Sequence, residues 1–195
     1  MQENLAELMS SRICHDLISP IGAIGNGLEL MSAFDISSPE LELVGQSAHT
    51  AQSKLKFFRI AFGAGSRTLI GGGEAQRIAA DMFAQGRMNL EFTSQWGDRE
   101  RQLVKLFYLL LLCVETSLPR GGNVACTPTE SGWEISVQET LINAPADLWA
   151  HIANGAKLPA LTAKTIQFPL TRECLVARSI NLDYASTGES LSLSF

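Results

Sequence analysis

The feature that most constrains the fold is a regular spacing of apolar residues over positions 39–62. The steps alternate between three and four residues throughout, at Leu41, Val44, Ala48, Ala51, Leu55, Phe58 and Phe62. This alternation places all of these side chains along one side of an α-helix, as in a coiled coil. The sequence therefore predicts a long helix whose apolar stripe must pack against other helices.

Local signals define where this helix begins. Ser37 or Ser38 can cap its N-terminus, Pro39 suits the first turn, and Glu40 favours the positive end of the helix dipole. A second periodic stretch, Asn4–Ala33, predicts a helix that precedes it along the chain. The short connection between the two stretches makes them antiparallel neighbours.

One helical hairpin cannot cover both of its apolar stripes. The first helix has its own apolar stripe at Ala6, Ile13, Leu17, Ile24 and Met31, with Leu28 nearby. Self-association through a two-fold axis would bury both stripes in a four-helix bundle, so we predict a homodimer. The alternative is that the stripe of the second helix packs on the rest of the same chain.

Opposite the apolar stripe of the first helix lies a mostly polar face centred on His15. At about 100° per residue, six residues fall within roughly 40° of this histidine: Leu8, Ser11, Ser19, Gly22, Asn26 and Glu29. Most of these side chains are small, which would leave the imidazole accessible to a bulky partner. Periodicity alone would equally describe a solvated histidine on an ordinary amphipathic helix.

The residues around His15 form a motif, His15-Asp16-Leu17-Ile18-Ser19-Pro20-Ile21. It resembles the phosphoacceptor box of two-component sensor kinases, and the residues 24–31 that follow extend the resemblance. A proline inside a strongly helical pattern removes a backbone hydrogen bond and crowds the preceding turn. The kinase helix has a proline at the same offset, which favours a kink retained for a purpose.

The remainder of the chain alternates between helical and strand-like patterns. We predict helices at Glu74–Gln85, Glu100–Ser117, Pro145–Asn154 and Leu170–Asn181, and strands at Met88–Thr93, Val124–Pro128, Trp133–Gln138, Leu182–Ser186 and Ser190–Phe195. This order predicts an α+β layer on an antiparallel sheet. The glycine-rich stretch Gly63–Gly73 lacks the GxxxxGK[ST] pattern of a phosphate loop and is interpreted as a helix stop and linker. We therefore predict domains at 1–66 and 67–195.

The second predicted domain resembles the Hsp90-like ATP-binding domain of sensor kinases without its nucleotide chemistry. Residues 109–114 and the turn through Gly121-Gly122 resemble the N-box helix, but Leu109 and Cys113 stand where two asparagines belong. Neither side chain suits a hard cation such as Mg²⁺. No Asp-x-Gly-x-Gly motif or glycine-rich lid follows. A kinase-shaped chain without an ATP site is typical of the ChpT-type histidine phosphotransferases, which the whole chain resembles.

This resemblance implies a phosphorelay carrier. His15 would accept a phosphoryl group from the receiver domain of a hybrid histidine kinase and pass it to a response regulator. Mg²⁺ would be held by the receiver, and the chain would need no cofactor or metal of its own. Asp16 would orient the imidazole, and the receiver would dock on Ser11, Arg12, Ser19, Gly22 and Asn26. The alternatives are a non-catalytic module that docks on another kinase and an ATP-dependent histidine kinase.

Composition excludes several other classes of protein. A net charge of −5 without a basic run argues against nucleic acid as a partner, and 46% hydrophobic residues argue against disorder. No apolar run is long enough to span a bilayer, and the N-terminus lacks a signal peptide pattern, so we expect no membrane partner and a cytoplasmic location. None of the four cysteines has zinc-ligand spacing, so they are expected to be reduced and mostly buried.

Overall fold

The structure is a computed structural model, and it describes residues 17–19, 21–31, 38–64, 66–139 and 141–195. The chain divides into two compact units, Met1–Gly65 and Ser66–Phe195. The predicted start of the first helix at Asn4 and the connection at 34–37 lie outside the described residues.

The described residues of the first unit form two helices. Residues 17–19 and 21–31 are helical and form α1, and α2 comprises Pro39–Ala61. The hydroxyl of Ser38 accepts a hydrogen bond from the backbone N–H of Leu41 at 3.3 Å, and Pro39 occupies the first turn. The predicted N-terminus of α2 is therefore confirmed, because the cap satisfies an N–H group that has no partner within the helix.

The second unit alternates helices and strands, much as the periodicity predicted. Its elements are β1 (Leu69–Ile70), α3 (Gly72–Phe83), β2 (Met88–Phe92), β3 (Arg99–Glu100), α4 (Arg101–Ser117), β4 (Gly122–Pro128), β5 (Trp133–Gln138), α5 (Ala146–Asn154), α6 (Gln167–Arg178), β6 (Asp183–Ser186) and β7 (Ser190–Ser194). β1 and β3 form an antiparallel pair of two residues each, too short to produce a periodic pattern in the sequence.

The main sheet of this unit is mixed, whereas we predicted an antiparallel sheet. Its strand order is β2-β4-β5-β7-β6. β2 and β4 are parallel, with Met88 opposite Gly122 and Phe92 opposite Cys126, and the other neighbouring strands are antiparallel. The prediction was wrong at this pair because α4 connects the two strands as a crossover helix, which returns the chain to the same end of the sheet.

The core of the second unit is built around α4. All of its residues from Val104 to Val114 are buried. The ring of Phe107 contacts both Trp96 and Trp133, with centroid separations of 4.9 and 4.7 Å. A helix that is apolar on nearly all sides must be covered on nearly all sides, and α6 packs along it.

The glycine-rich stretch is only partly a linker. Gly72 begins α3, and a Cβ atom at this position would collide with the backbone carbonyl groups of Trp96 and Gly97. Glycine is therefore required by a close backbone approach inside the second unit, and the interpretation of residues up to Gly73 as linker was wrong.

Candidate functional site

Three of the predicted partner-binding residues lie in the described part of α1. Ser19 and Asn26 are exposed, and Gly22 is half-buried. A Cβ atom on Gly22 would lie 3.4 Å from Nε2 of Gln52 in α2, so the two helices approach closely beside this face. The face predicted around the histidine is therefore solvent-facing at Ser19 and Asn26 and borders α2 at Gly22. Sequence periodicity provided no signal for Gln52 as its neighbour.

The remaining predicted site residues lie outside the described part of the chain. They are the phosphoacceptor His15, the orienting residue Asp16, and the docking residues Ser11 and Arg12. Their roles remain predictions.

The apolar stripe of α1 is exposed in the single chain. Leu17, Ile24 and Met31 expose 44%, 52% and 38% of their surface. The half-buried residues lie on a neighbouring face, at Ile18, Ile21, Gly22, Gly25 and Leu28. The contacts within one chain therefore use the flank of α1 and leave its most regular apolar stripe open to solvent.

The predicted stripe of α2 is only partly covered in the single chain as well. Six of its seven residues are half-buried, and Val44 is exposed. Phe58 contacts Phe57 and Phe62, with centroid separations of 6.1 and 5.5 Å. The buried apolar side chains of α2 are Phe57, Ile60 and Ala61, which lie beside the stripe.

In the second unit, the two positions that resemble N-box asparagines are sealed in the core. Leu109 and Cys113 have no exposed surface. The thiol of Cys113 lies 3.6 Å from Oγ1 of Thr171 in α6, and burial raises its pKa above the ordinary value. Neither side chain can reach a ligand that binds at the surface of this unit.

A buried glutamine holds α6 against α4. The two N–H groups on Nε2 of Gln167 donate to Oγ1 of Thr116 at 2.9 Å and to the carbonyl oxygen of Lys164 at 2.8 Å, and the carbonyl oxygen of Leu112 lies 3.4 Å away. Sequence reasoning missed this residue, because a glutamine at the start of an amphipathic helix is usually solvated. Because a buried amide must be hydrogen-bonded, these bonds hold the start of α6 against α4.

The described residues contain neither a cluster of metal-binding side chains nor a helix suited to a membrane. Within them, no group of three or more His, Cys, Asp or Glu side chains could hold a metal ion. Among the described helices, none combines the length and apolarity needed to cross a lipid bilayer. Cys113 and Cys126 are buried free thiols, and Cys174 is half-buried.

Known proteins place this arrangement in a family. A family model described as the C-terminal domain of histidine phosphotransferases matches residues 72–190. The chain is 33% identical over 170 residues to the protein phosphotransferase ChpT of Brucella abortus (strain 2308), which covers 84% of this chain and 81% of that protein. The chain belongs to the ChpT-type histidine phosphotransferases. The family predicted from the His15 motif and the altered N-box positions is therefore confirmed.

A solved structure agrees with this family at the level of the fold. The 1.7 Å structure of a bacterial phosphotransferase matches with a TM-score of 0.65 and 28% identity, over 97% of each chain. The α+β fold class is thus confirmed. The histidine kinase domain of a blue-light activated kinase from Erythrobacter litoralis is more distant, with a TM-score of 0.45 and 13% identity over 93% of this chain and 92% of that one.

Proposed function

We propose that this phosphotransferase carries a phosphoryl group on His15 between two receiver domains. The donor is the receiver aspartate of a hybrid histidine kinase, and the acceptor is the receiver aspartate of a response regulator. The observation that carries the proposal is the phosphoacceptor motif around His15 in a chain that belongs to the histidine phosphotransferases. The location we propose is a reducing cytoplasm, in which buried free thiols such as Cys113 and Cys126 persist.

The transfer needs few groups from this chain. The lone pair of Nε2 of His15 attacks phosphorus, the bond from phosphorus to the donor aspartate oxygen breaks, and the carboxylate leaves with the electron pair. The second transfer reverses these steps on the response regulator. A reference pKa of about 6.5 keeps most imidazole neutral near pH 7, and positioning and electrostatics supply most of the catalysis in phosphoryl transfer. The receiver would supply the Mg²⁺.

Asp16 has a positioning role in this proposal. It would orient the imidazole and accept the hydrogen bond of the nitrogen that does not attack. Ser11, Arg12, Ser19, Gly22 and Asn26 would form the docking face for the receiver. The exposure of Ser19 and Asn26 supports this assignment, because a docking residue must be open in the free protein.

We propose that the carrier works without ATP. The support is the burial of Leu109 and Cys113 and the packing of α6 over Cys113 through Thr171. A nucleotide would require polar ligands at these positions and space beside them. Phosphoryl groups would then enter only from a phosphorylated partner.

We also propose that two chains pair through the first unit into a four-helix bundle. The support is the exposed apolar stripe of α1 at Leu17, Ile24 and Met31, together with the partly covered stripe of α2. A second copy presents the same stripes in return, as two-fold self-association requires. The dimer would have two equivalent acceptor histidines.

The decisive experiment uses a ³²P-labelled receiver domain and no ATP. The unmodified protein should take the label and deliver it to a second receiver, and the label should be acid-labile and base-stable. His15→Gln should abolish labelling, since an amide cannot act as the nucleophile. We expect the fold to survive, because the sequence predicts a solvent-facing His15 and surface substitutions rarely cost more than about 0.5 kcal/mol.

His49→Gln and His151→Gln are the matched controls, since the chain has three histidines. Both should transfer the label as the unmodified protein does. Label transfer by the His15→Gln protein would exclude His15 as the carrier. Labelling of the unmodified protein from ATP and Mg²⁺ alone would establish a kinase instead. A docking module would bind the partner equally well with and without His15 and would never be labelled.

A further inference from the structure

A groove of about 580 Å³ lies in the second unit, away from the phosphoacceptor helix in sequence. One wall is a face of α5 that includes Ala146, Ala150 and Ala153. The other wall is the edge strand β6, at Tyr184 and Ser186. The ring of Trp149 stacks on that of Tyr184, with centroids 4.5 Å apart and planes 5° apart, and this contact holds α5 on β6.

The hydrogen bonds between β6 and β7 determine which backbone groups of β6 remain free to pair with another strand. The N–H of Thr187 donates to the carbonyl of Ser190 at 2.8 Å. In an antiparallel pair, alternate residues face the partner strand, so Ala185 and Asp183 also direct their backbone groups toward β7. The N–H and C=O groups of Tyr184 and Ser186 must then point away from the sheet.

The pairing of β7 with β5 gives the same result for the direction of the backbone groups of β7. The N–H of Glu139 donates to the carbonyl of Glu189 at 3.0 Å, which directs the backbone groups of Leu191 and Leu193 toward β5. Ser192 and Ser194 therefore face β6. The two outward-facing residues of β6 are the same two that line the groove.

The α5 wall of the groove is long enough for a short extended segment. The wall of α5 from Ala146 to Asn154 is about 12 Å long at 1.5 Å per residue. A β-strand of about four residues has the same length at roughly 3.3 Å per residue. The alanines on α5 leave room for the side chains of such a strand.

We propose that this groove binds an extended segment of another polypeptide, which adds to the sheet as a strand beside β6. Strand addition at an exposed edge is a general mode of peptide recognition, in which backbone hydrogen bonds provide affinity and side-chain pockets provide specificity. The backbone groups of Tyr184 and Ser186 would pair with the incoming backbone. The face of α5 would receive alternate side chains.

The charges around the groove specify the chemistry of the segment. Its lining side chains are uncharged, so the segment places small, uncharged side chains against α5. Asp147 and Glu189 are exposed carboxylates that adjoin lining residues in the chain, and Asp183 is exposed on β6, with its side chain on the face of the sheet opposite that of Tyr184. The segment should therefore have a lysine or arginine beside the paired residues. A second copy of β6 would bring the same carboxylates into opposition, which disfavours self-pairing.

The probe is a library of random ten-residue peptides displayed on phage and selected on the full-length protein. A selected peptide, synthesised and titrated in solution, should shift the backbone amide resonances of Tyr184 and Ser186. N-methylation of alternate peptide amides, which removes donors without changing side chains, should weaken binding at least tenfold. Methylation of the intervening amides should have little effect.

Two variants of the protein test the two walls separately. Ser186→Pro removes an outward N–H group that the β6–β7 ladder does not use, a position at which edge strands tolerate proline. Ala150→Trp fills the groove from α5. Each should weaken binding at least tenfold, while Ala177→Trp on the exposed side of α6 should not.

The proposal is overturned if selection returns no peptide that binds the purified protein. It is also overturned if selected peptides shift resonances elsewhere, or bind equally well after both sets of methylations. Pairing of two chains through β6, seen as concentration-dependent shifts at Tyr184 without peptide, would replace the proposed partner with a second copy. Because Ala150→Trp leaves β6 unchanged, it remains informative if Ser186→Pro does not fold.

Discussion

The two units of this phosphotransferase complete their apolar cores to different degrees. In the second unit, α4 is buried continuously from Val104 to Val114. In the first unit, α1 leaves Leu17, Ile24 and Met31 exposed, although these residues form its most regular apolar stripe. Both helices are strongly patterned, but only one pattern is satisfied within a single chain.

This difference suggests a division of work. A unit with a complete core can fold and hold a shape without a partner, as expected for the second unit, in which Leu109 and Cys113 are fully buried. A unit with an open apolar stripe depends on another molecule to cover it. Interaction with other proteins is therefore expected to depend most strongly on the first unit.

The largest expected effect is on assembly, from Ile24→Asp. A carboxylate on the exposed stripe costs little in a single chain but is unpaired and buried in a bundle of two chains. Light scattering should give about twice the 21.1 kDa chain mass for the unmodified protein and the monomer mass for the variant. Leu30→Asp, equally exposed on another face of α1, should remain a dimer. A monomeric unmodified protein would contradict the proposed pairing.

The buried cysteines of the second unit should react with alkylating reagents more slowly than its half-buried cysteine. Burial raises the pKa of Cys126 to about 12 and also raises the pKa of Cys113. At pH 8 the thiolate fraction of Cys126 falls on the order of 10³-fold below that of an ordinary thiol. In a Cys14→Ser background, the half-buried Cys174 should be the first cysteine to be alkylated, as measured by mass spectrometry. Equal rates at all three would show that the core opens readily.

Phe107→Ala should destabilise the second unit by about 3–5 kcal/mol, because it leaves a cavity between Trp96 and Trp133. Urea unfolding followed by tryptophan fluorescence measures this unit alone, since Trp96, Trp133 and Trp149 all lie in it. Val176→Ala, at an exposed site on α6, should change the free energy of unfolding by no more than about 0.5 kcal/mol. Similar costs for both variants would contradict the complete core.

The smallest expected effect is at the start of α2. Ser38→Ala removes the acceptor for the N–H of Leu41 and should reduce the stability of the first unit by about 1 kcal/mol. Ser47→Ala is the same change inside the helix, where alanine is the better helix former, and should raise stability by up to about 0.5 kcal/mol. Thermal unfolding followed by circular dichroism at 222 nm distinguishes the two signs. Equal shifts would exclude the capping role.

Sequence reasoning was most successful where the determinants are local. The cap at Ser38 and the strands Val124–Pro128 and Trp133–Gln138 follow from residue types at short spacing. It failed at the parallel pairing of β2 with β4 and at Gly72. Both depend on contacts with residues far away in the chain, which no local pattern encodes.

The sequence by itself determined the family, the order of the main helices and strands, and the loss of polar ligands at Leu109 and Cys113. These features are properties of residue type and spacing, so they can be read along the chain. Only the tertiary structure decided that the flank of α1 is partly covered while Ile24 stays exposed. It also decided that Gln167 holds α6 against α4, and that the backbone groups of Tyr184 and Ser186 point away from the sheet. Burial and hydrogen-bond direction depend on which distant segments meet, and that is settled by packing of the whole unit.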